Sequence, residues 1–151
     1  MNTKVKPFTS VVIVGFGDIG RRVGAIWQEN GLNVYGVARS IESEQGITPI
    51  CADLAELATL KELPLENALV YYFAPPPRNG KVDSHVANFI SAIKADQQPS
   101  RIVAISTSGV YGDCQGALVT ENTPTNPQVD RAHRRLDMEQ QLRAWGNHNN
   151  V

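Results

Sequence analysis

Residues 10–24 read SVVIVGFGDIGRRVG. The first part of this stretch, Val11 to Val14, is a run of β-branched apolar residues, which is typical of a buried strand. The run breaks at Gly15, and further glycines follow at Gly17 and Gly20, where the sequence passes into the first turn of a helix. The sequence therefore predicts a strand, a glycine turn and a helix N-terminus in immediate succession.

The spacing of the three glycines is G-x-G-x-x-G, which is the spacing of a dinucleotide-binding turn. In such a turn Gly15 makes the tight bend, Gly17 lets the backbone approach a pyrophosphate, and Gly20 lets helix and strand pack closely. The N–H groups at the helix N-terminus then face the anion. Glycines also make ordinary turns, but here the motif follows a strand and opens a helix, and that context favours cofactor binding over a plain turn.

The composition indicates one domain without an obvious macromolecular or metal partner. The chain has 151 residues, 42% of them apolar, which suits a single core. Because 14 Lys and Arg balance 15 Asp and Glu, no overall field favours nucleic acid or a membrane surface. Cys51 and Cys114 have neither metal-ligand nor C-x-x-C spacing, which favours reduced thiols in a cytoplasmic protein and no metal site. We see no signal peptide and no apolar stretch long enough to span a membrane.

Strand and helix patterns alternate along the rest of the chain. We expect residues 1–9 to be a loose leader and residues 10–151 to form the domain. The predicted strands are 10–14, 32–38, 48–51, 68–73 and 101–105, and the predicted helices are 18–30, 54–60, 81–95 and 129–145, the last one ended by Gly146. This alternation predicts an α/β fold with a doubly wound parallel sheet of the Rossmann type, strand order 3-2-1-4-5, and helices on both faces. A ligand is then expected between the carboxyl ends of the first and fourth strands.

The end of the second strand bears on the choice of cofactor. An acidic residue there would bind the adenosine ribose of NAD, but this chain has Arg39 and Ser40 instead. A guanidinium matches the oxygens of a ribose 2′-phosphate, so NADP is favoured over NAD, the alternative being that Arg39 is a solvated strand end. Arg21 and Arg22 are either further phosphate ligands or a solvated helix face. Asp53 either caps the next helix or contacts the adenine amino group.

The segment after the fifth strand carries a family resemblance. Residues 105–112 read ISTSGVYG, and they are followed by Glu121, Pro124 and Pro127 and by a helix with Leu136 and Glu139. This pattern resembles the extended short-chain dehydrogenases/reductases, also called NAD-dependent epimerase/dehydratases. The resemblance extends over the chain from the first strand onward.

The resemblance implies roles for four residues. Thr107 takes the position of the Ser or Thr that hydrogen-bonds the reacting oxygen, while the family's Tyr-x-x-x-Lys pair falls on Arg131 and Arg135. Arg131 cannot act as an acid or base because arginine stays protonated, whereas Arg135 can still hold a ribose hydroxyl. Tyr111 is the nearest other phenol but belongs to the structural VYG turn. The chain thus resembles atypical members that lack the usual catalytic pair.

These inferences define an expected site. The four residues of the preceding comparison, Thr107, Tyr111, Arg131 and Arg135, form its catalytic part. Its cofactor-binding part consists of the glycine turn and the ends of the strands beside it: Gly15, Phe16, Gly17, Asp18, Ile19, Gly20, Arg39, Ser40, Asp53, Leu54, Ala74, Pro75, Pro76 and Ser106.

Three functions remain open at this point. The first is the NADP-binding part of an oxidoreductase or epimerase for a small hydroxyl, carbonyl or sugar-nucleotide-like substrate. The second is a non-catalytic NADP(H)-binding module or sensor, and the third is a truncated remnant. The resembled family continues into a substrate domain, so we expect no complete substrate pocket here. It also implies a homodimer through helices 81–95 and 129–145.

Overall fold

The computed structural model describes residues 7–151, so residues 1–6 of the predicted leader lie outside the described residues. The ring of Phe8 packs edge-on against Trp27, with ring centroids 5.4 Å apart. The amide of Thr9 donates a hydrogen bond of 3.0 Å to a loop carbonyl. Phe8 and Thr9, at the end of the predicted leader, therefore contact the domain, which corrects the expectation that the chain is loose up to residue 9.

Within the described residues, five parallel strands form one sheet in the order β3-β2-β1-β4-β5. The predicted strand order is confirmed. At the carboxyl end of the central strand β1, Val14 pairs with Val37 on one side and with Tyr72 on the other. The strands are β1 (Ser10–Val14), β2 (Asn33–Ala38), β3 (Ile47–Cys51), β4 (Ala68–Tyr72) and β5 (Arg101–Ala104).

Helices cover both faces of the sheet, as predicted. Because successive side chains of a strand point to opposite faces, β1 divides its valines and isoleucine between two cores. Val11 and Ile13 pack on the side of the first helix, and Val12 and Val14 pack on the side of the other two. The helices are α1 (Asp18–Glu29), α2 (Ser84–Ala92) and α3 (Asp130–Asn149), and no helix of the described part is long and apolar enough to cross a membrane.

The helix predicted at 54–60 is wrong. Only a 3₁₀ turn forms there, over Leu57–Leu60. The carboxylate of Asp53 accepts from the amide of Ala55 at 2.9 Å, and the hydroxyl of Thr59 bonds both the amide and the carbonyl of Asp53. These local side-chain bonds compete with the backbone bonds that an α-helix would need.

The predicted end of the last helix is also wrong. α3 runs past Gly146 and ends at Asn149, with Asn150 in the left-handed region as its cap. The chain then folds back, and the amide of Val151 donates to the carbonyl of Gly146 at 3.0 Å. Gly146 is needed for this close return, because an added Cβ would lie 2.9 Å from the carbonyl oxygen of Val151.

Candidate functional site

The glycine turn lies at the carboxyl edge of the sheet, directly after β1. The amides of Gly15 and Phe16 both donate to the carbonyl of Val37 at 3.0 Å, which ties the turn to β2. Gly15 has a φ of +93°, and an added Cβ would lie 2.4 Å from the amide nitrogen of Ala74. Only glycine satisfies both conditions, so the turn and the exit of β4 are in backbone contact.

Gly17 opens the N-terminus of α1 toward solvent. It is exposed, no heavy atom lies within 4 Å of the position of an added Cβ, and no side chain caps the helix. The first N–H groups of an α-helix have no partner within the helix. Gly20 packs against the sheet instead, since its added Cβ would lie 3.1 Å from Cγ2 of Ile13. The backbone of this turn therefore fits a phosphate group, for which a side chain at Gly17 would leave less room.

Phe16 supports the turn from the core side. Its side chain is buried, and Gly36 on β2 makes room for it, because a Cβ on Gly36 would lie 2.8 Å from Cγ of Phe16. Asp18 and Ile19, the first two residues of α1, are exposed. Phe16 thus shapes the predicted binding turn through its packing, and only its backbone lies in the turn itself.

The charged groups near the turn are partly paired. Arg22 donates to the carboxylate of Asp18 at 3.2 Å, and Arg21 forms an ion pair with Glu44. Arg39 is exposed at the end of β2 and has no ion-pair partner within residues 7–151. Of Arg21, Arg22 and Arg39, which were predicted near a phosphate, only Arg39 therefore lacks an ion pair within residues 7–151.

The segments after β2 and β3 lie at the same edge of the sheet. Ser40 is exposed beside Arg39, and Asp53 lies two residues after Cys51, which forms the last pair of the β2–β3 ladder. Leu54 packs against the core, and its carbonyl accepts from the side-chain amide of Asn88 at 2.8 Å. Asp53 makes the local turn described above, so a contact of its carboxylate with adenine stays a prediction.

The exit of β4 passes next to the glycine turn. Ala74 is buried, and its carbonyl accepts from Nη1 of Arg135 at 3.1 Å. Nδ1 of His85, in the first turn of α2, lies 3.1 Å from the carbonyl of Pro75, to which the Nδ1–H tautomer donates. Pro76 follows in the half-buried part of this segment. The predicted cofactor-lining carbonyls are thus held by side chains from two helices.

Two predicted site residues after β5, Thr107 and Ser106, carry hydroxyl groups, and these lie in different surroundings. Oγ1 of Thr107 accepts from the amide of Gly109 at 3.2 Å and caps a 3₁₀ turn over Ser108–Tyr111. Ser106 lies instead on a groove of about 400 Å³ between β5 and the C-terminal half of α3, where its Oγ is buried.

Arg131 and Arg135 occupy different environments. Arg131 is exposed in the first turn of α3, whereas Arg135 one turn later is only 8% exposed. Burial lowers the pKa of the Arg135 guanidinium, an effect that the carboxylate of Asp83 opposes. Arginine nevertheless keeps its proton at any working pH. Arg135, to which the resemblance assigns the position of the family's lysine, is thus a buried cation.

Tyr72 and Asp83 form a buried polar group beside Arg135 that sequence reasoning missed. The hydroxyl of Tyr72 and Oδ2 of Asp83 have no hydrogen-bond partner within residues 7–151. Burial raises the pKa of both groups, and Arg135 counteracts the rise in each. Asp83 also caps α2 by accepting from the amide of Val86 at 3.1 Å. A signal was present, since aspartate directly before an apolar helical pattern is a strong N-cap candidate.

Comparisons with known proteins give the fold. No family model matches the chain, and no curated protein matches it by sequence. Solved structures do match, and three similar ones are UDP-N-acetylglucosamine 4-epimerase from Bacillus cereus, the Bordetella bronchiseptica enzyme WbmH in complex with NAD+, and a short-chain dehydrogenase/reductase superfamily protein from Agrobacterium tumefaciens with bound NAD. Their TM-scores are 0.76, 0.73 and 0.75, and their sequence identities are 18%, 19% and 20%.

The matches extend over nearly all of this chain but only part of the solved ones. They cover 95%, 92% and 89% of this chain, and 52%, 53% and 44% of the respective solved chains. The chain thus spans about half the length of the structures that it matches. At these identities the likeness establishes the fold, and the predicted resemblance to epimerase/dehydratase and short-chain dehydrogenase/reductase structures is confirmed at that level.

Proposed function

We propose that the chain is the dinucleotide-binding part of an atypical extended short-chain dehydrogenase/reductase, and that it binds NADP(H). The observation that carries the proposal is the exposed, uncapped N-terminus of α1 at Gly17, set beside the β4 exit at the carboxyl edge of the sheet. An anion at this place is stabilised by the free amides and by the helix dipole. The pyrophosphate of a dinucleotide is the anion that this turn suits.

Arg39 supports NADP over NAD. It is exposed at the end of β2 and lacks a carboxylate partner within residues 7–151, so its guanidinium is available to a 2′-phosphate. Two of the similar structures contain NAD, so cofactor preference needs a direct test. A binding titration that compares NADPH with NADH measures it, and a preference for NADH would contradict this part of the proposal.

The proposed reaction is oxidoreduction or epimerisation of a small hydroxyl, carbonyl or sugar-nucleotide-like substrate. The cofactor supplies the hydride acceptor or donor when it is bound. Thr107 would donate its hydroxyl proton to the reacting oxygen while its Oγ1 accepts from the amide of Gly109. Tyr111 is the tyrosine nearest to Thr107 in the sequence, and a phenol of this kind can transfer a proton. Arg131, being exposed and charged, would bind a substrate oxygen without acting as a base.

A second candidate function is a non-catalytic NADP(H)-binding module or sensor. Arg131 and Arg135 favour it, because neither can replace the tyrosine of the Tyr-x-x-x-Lys pair as an acid or base. The experiment that separates the two functions is oxidation of NADPH by the purified protein with a panel of carbonyl compounds. Turnover that falls in Thr107→Ala supports the enzyme, whereas NADPH binding without turnover supports the module.

Two further expectations belong to this proposal. We propose a cytoplasmic location on the basis of free Cys51 and Cys114. We also propose a homodimer through α2 and α3, which sedimentation of the purified protein tests directly. A monomer at all concentrations would contradict the dimer and leave the cofactor proposal intact.

A further inference from the structure

The connection between β4 and α2, residues 73–83, is hydrogen-bonded to α3 at three residues. Arg135 donates to the carbonyl of Ala74 at its start, and Arg134 donates to the carbonyl of Gly80 in its middle. At its end, the amide of Asp83 donates to the carboxylate of Asp137 at 2.7 Å. We call these contacts the α3 clamp.

Two of the three side chains of the α3 clamp are buried, and that of Asp137 is half-buried. Arg134 and Arg135 are 7% and 8% exposed, and neither forms an ion pair within the described residues. Burying a cation without a paired carboxylate is costly, and hydrogen bonds from the cation to backbone acceptors offset part of that cost. Here the atoms satisfied are backbone carbonyls of a segment that contains three consecutive prolines, which have no N–H to donate.

Ala74 contacts both the α3 clamp and the glycine turn. The backbone of Ala74 fits against Gly15 so closely that a Cβ on Gly15 would lie 2.4 Å from its nitrogen. The carbonyl of the same residue accepts from Arg135 at 3.1 Å. A shift of the β4 exit would therefore displace the turn that receives the pyrophosphate.

We propose that Arg135 is a positioning residue for dinucleotide binding, which acts by holding Ala74 and hence the glycine turn. In this role it does not contact the nicotinamide ribose. The inference rests on the proposed dinucleotide binding and departs from the ribose contact that the family resemblance implies for this position. Arg135 donates to Ala74 and lies 3.6 Å from the sulfur of Met138, contacts that direct its guanidinium into the protein.

The affinities for two ligands distinguish a positioning role of Arg135 from a ribose contact. NADPH carries the nicotinamide ribose, and 2′-phospho-ADP carries the pyrophosphate and adenosine half without it. If Arg135 acts through Ala74, Arg135→Met weakens both ligands by the same factor, about tenfold for a lost charged hydrogen bond. The matched control is Arg143→Met on the exposed side of the same helix, which should leave both affinities unchanged.

Hydrogen exchange of residues 73–83 without nucleotide gives an independent readout. Exchange of this segment should be faster in Arg135→Met than in the wild type or in Arg143→Met, while the melting temperature shows that all three proteins are folded. Weakening of NADPH alone, with 2′-phospho-ADP unchanged, would show a ribose contact and overturn the inference. Unchanged affinities in Arg135→Met would also overturn it. If folded wild-type protein bound neither ligand, the proposed function itself would fail.

Discussion

Gly15 and Ala74 touch backbone to backbone at the carboxyl edge of the sheet, with 2.4 Å between the position of an added Cβ on Gly15 and the amide nitrogen of Ala74. The contact joins the exits of β1 and β4, the two strands between which a ligand is expected in a sheet of this order. The geometry of the proposed site therefore depends on a position that only glycine can occupy.

Replacement of Gly15 should damage the fold. Gly15→Ala combines the close contact with a φ of +93°, and we expect a loss of about 2 kcal/mol or more in the free energy of unfolding. Urea unfolding measures it. Gly17→Ala is the matched control, because its φ is −102° and its added Cβ meets no atom within 4 Å. Equal losses in the two variants would contradict the structure of the turn.

Phe16 should contribute to stability more than any exposed residue of the turn. Because its ring is buried against Gly36, Phe16→Ala removes a large core side chain and should lower the free energy of unfolding by about 3–5 kcal/mol. Ile19→Ala, at a position that is 52% exposed, should change it by about 0.5 kcal/mol or less. Denaturant unfolding of both variants checks the difference. A small effect at Phe16 would mean that its ring is not packed as described.

Arg39 should determine the preference for NADP. A charged hydrogen bond to a 2′-phosphate contributes about 1.5–3 kcal/mol, so Arg39→Ala should weaken NADPH at least about tenfold and leave NADH unchanged. Calorimetric titration with both cofactors measures this. Arg101→Ala is the control, since Arg101 is also exposed but begins β5 at the opposite edge of the sheet. Parallel weakening of NADPH and NADH by Arg39→Ala would contradict a 2′-phosphate contact.

Asp83 should make stability depend on pH. Burial raises its pKa in the folded protein, against the opposing charges of His85 and Arg135, so the folded state binds the proton more tightly than the unfolded state. This contribution to stability is present in acid and is lost as the pH rises from the unfolded pKa through the folded one. Asp83→Asn keeps an oxygen to cap α2 and removes the titration. Its stability relative to the wild type should therefore be higher at pH 7 than at pH 4.

Unfolding curves of both proteins across this range check the sign of the effect. A stability of Asp83→Asn relative to the wild type that is constant with pH, or that is higher at pH 4 than at pH 7, would contradict a raised pKa at Asp83.

The sheet and the glycine turn were predictable because their signals are local and repeated. A β-branched run followed by G-x-G-x-x-G fixes β1 and the start of α1, and alternating strand and helix patterns restrict the topology to few choices. The 3₁₀ turn over Leu57–Leu60 was not predictable from apolar spacing, because the hydroxyl of Thr59 bonds the backbone of Asp53 and competes with the bonds of an α-helix.

The contacts of Arg135 could not be predicted from the sequence for a different reason. Spacing along α3 assigned the residue to the position of the family's lysine, but the direction of its guanidinium depends on a carbonyl 61 residues away. The same holds for Tyr72 and Asp83, which come together only through the packing of β4 against α2. Periodicity gives the face of an element, and it does not give the partner of a polar atom on that face.

Dinucleotide binding at the N-terminus of α1 is tested most directly by calorimetric titration of NADPH into wild-type protein and Gly17→Asp. Aspartate is a favourable N-cap, so the variant should melt at or above the wild-type temperature, while its carboxylate occupies the amides that would receive the pyrophosphate and repels it. We predict NADPH binding by the wild type and at least about tenfold weaker binding by the folded variant. Equal affinities in the two proteins, or no binding by folded wild-type protein, would contradict dinucleotide binding at this helix N-terminus.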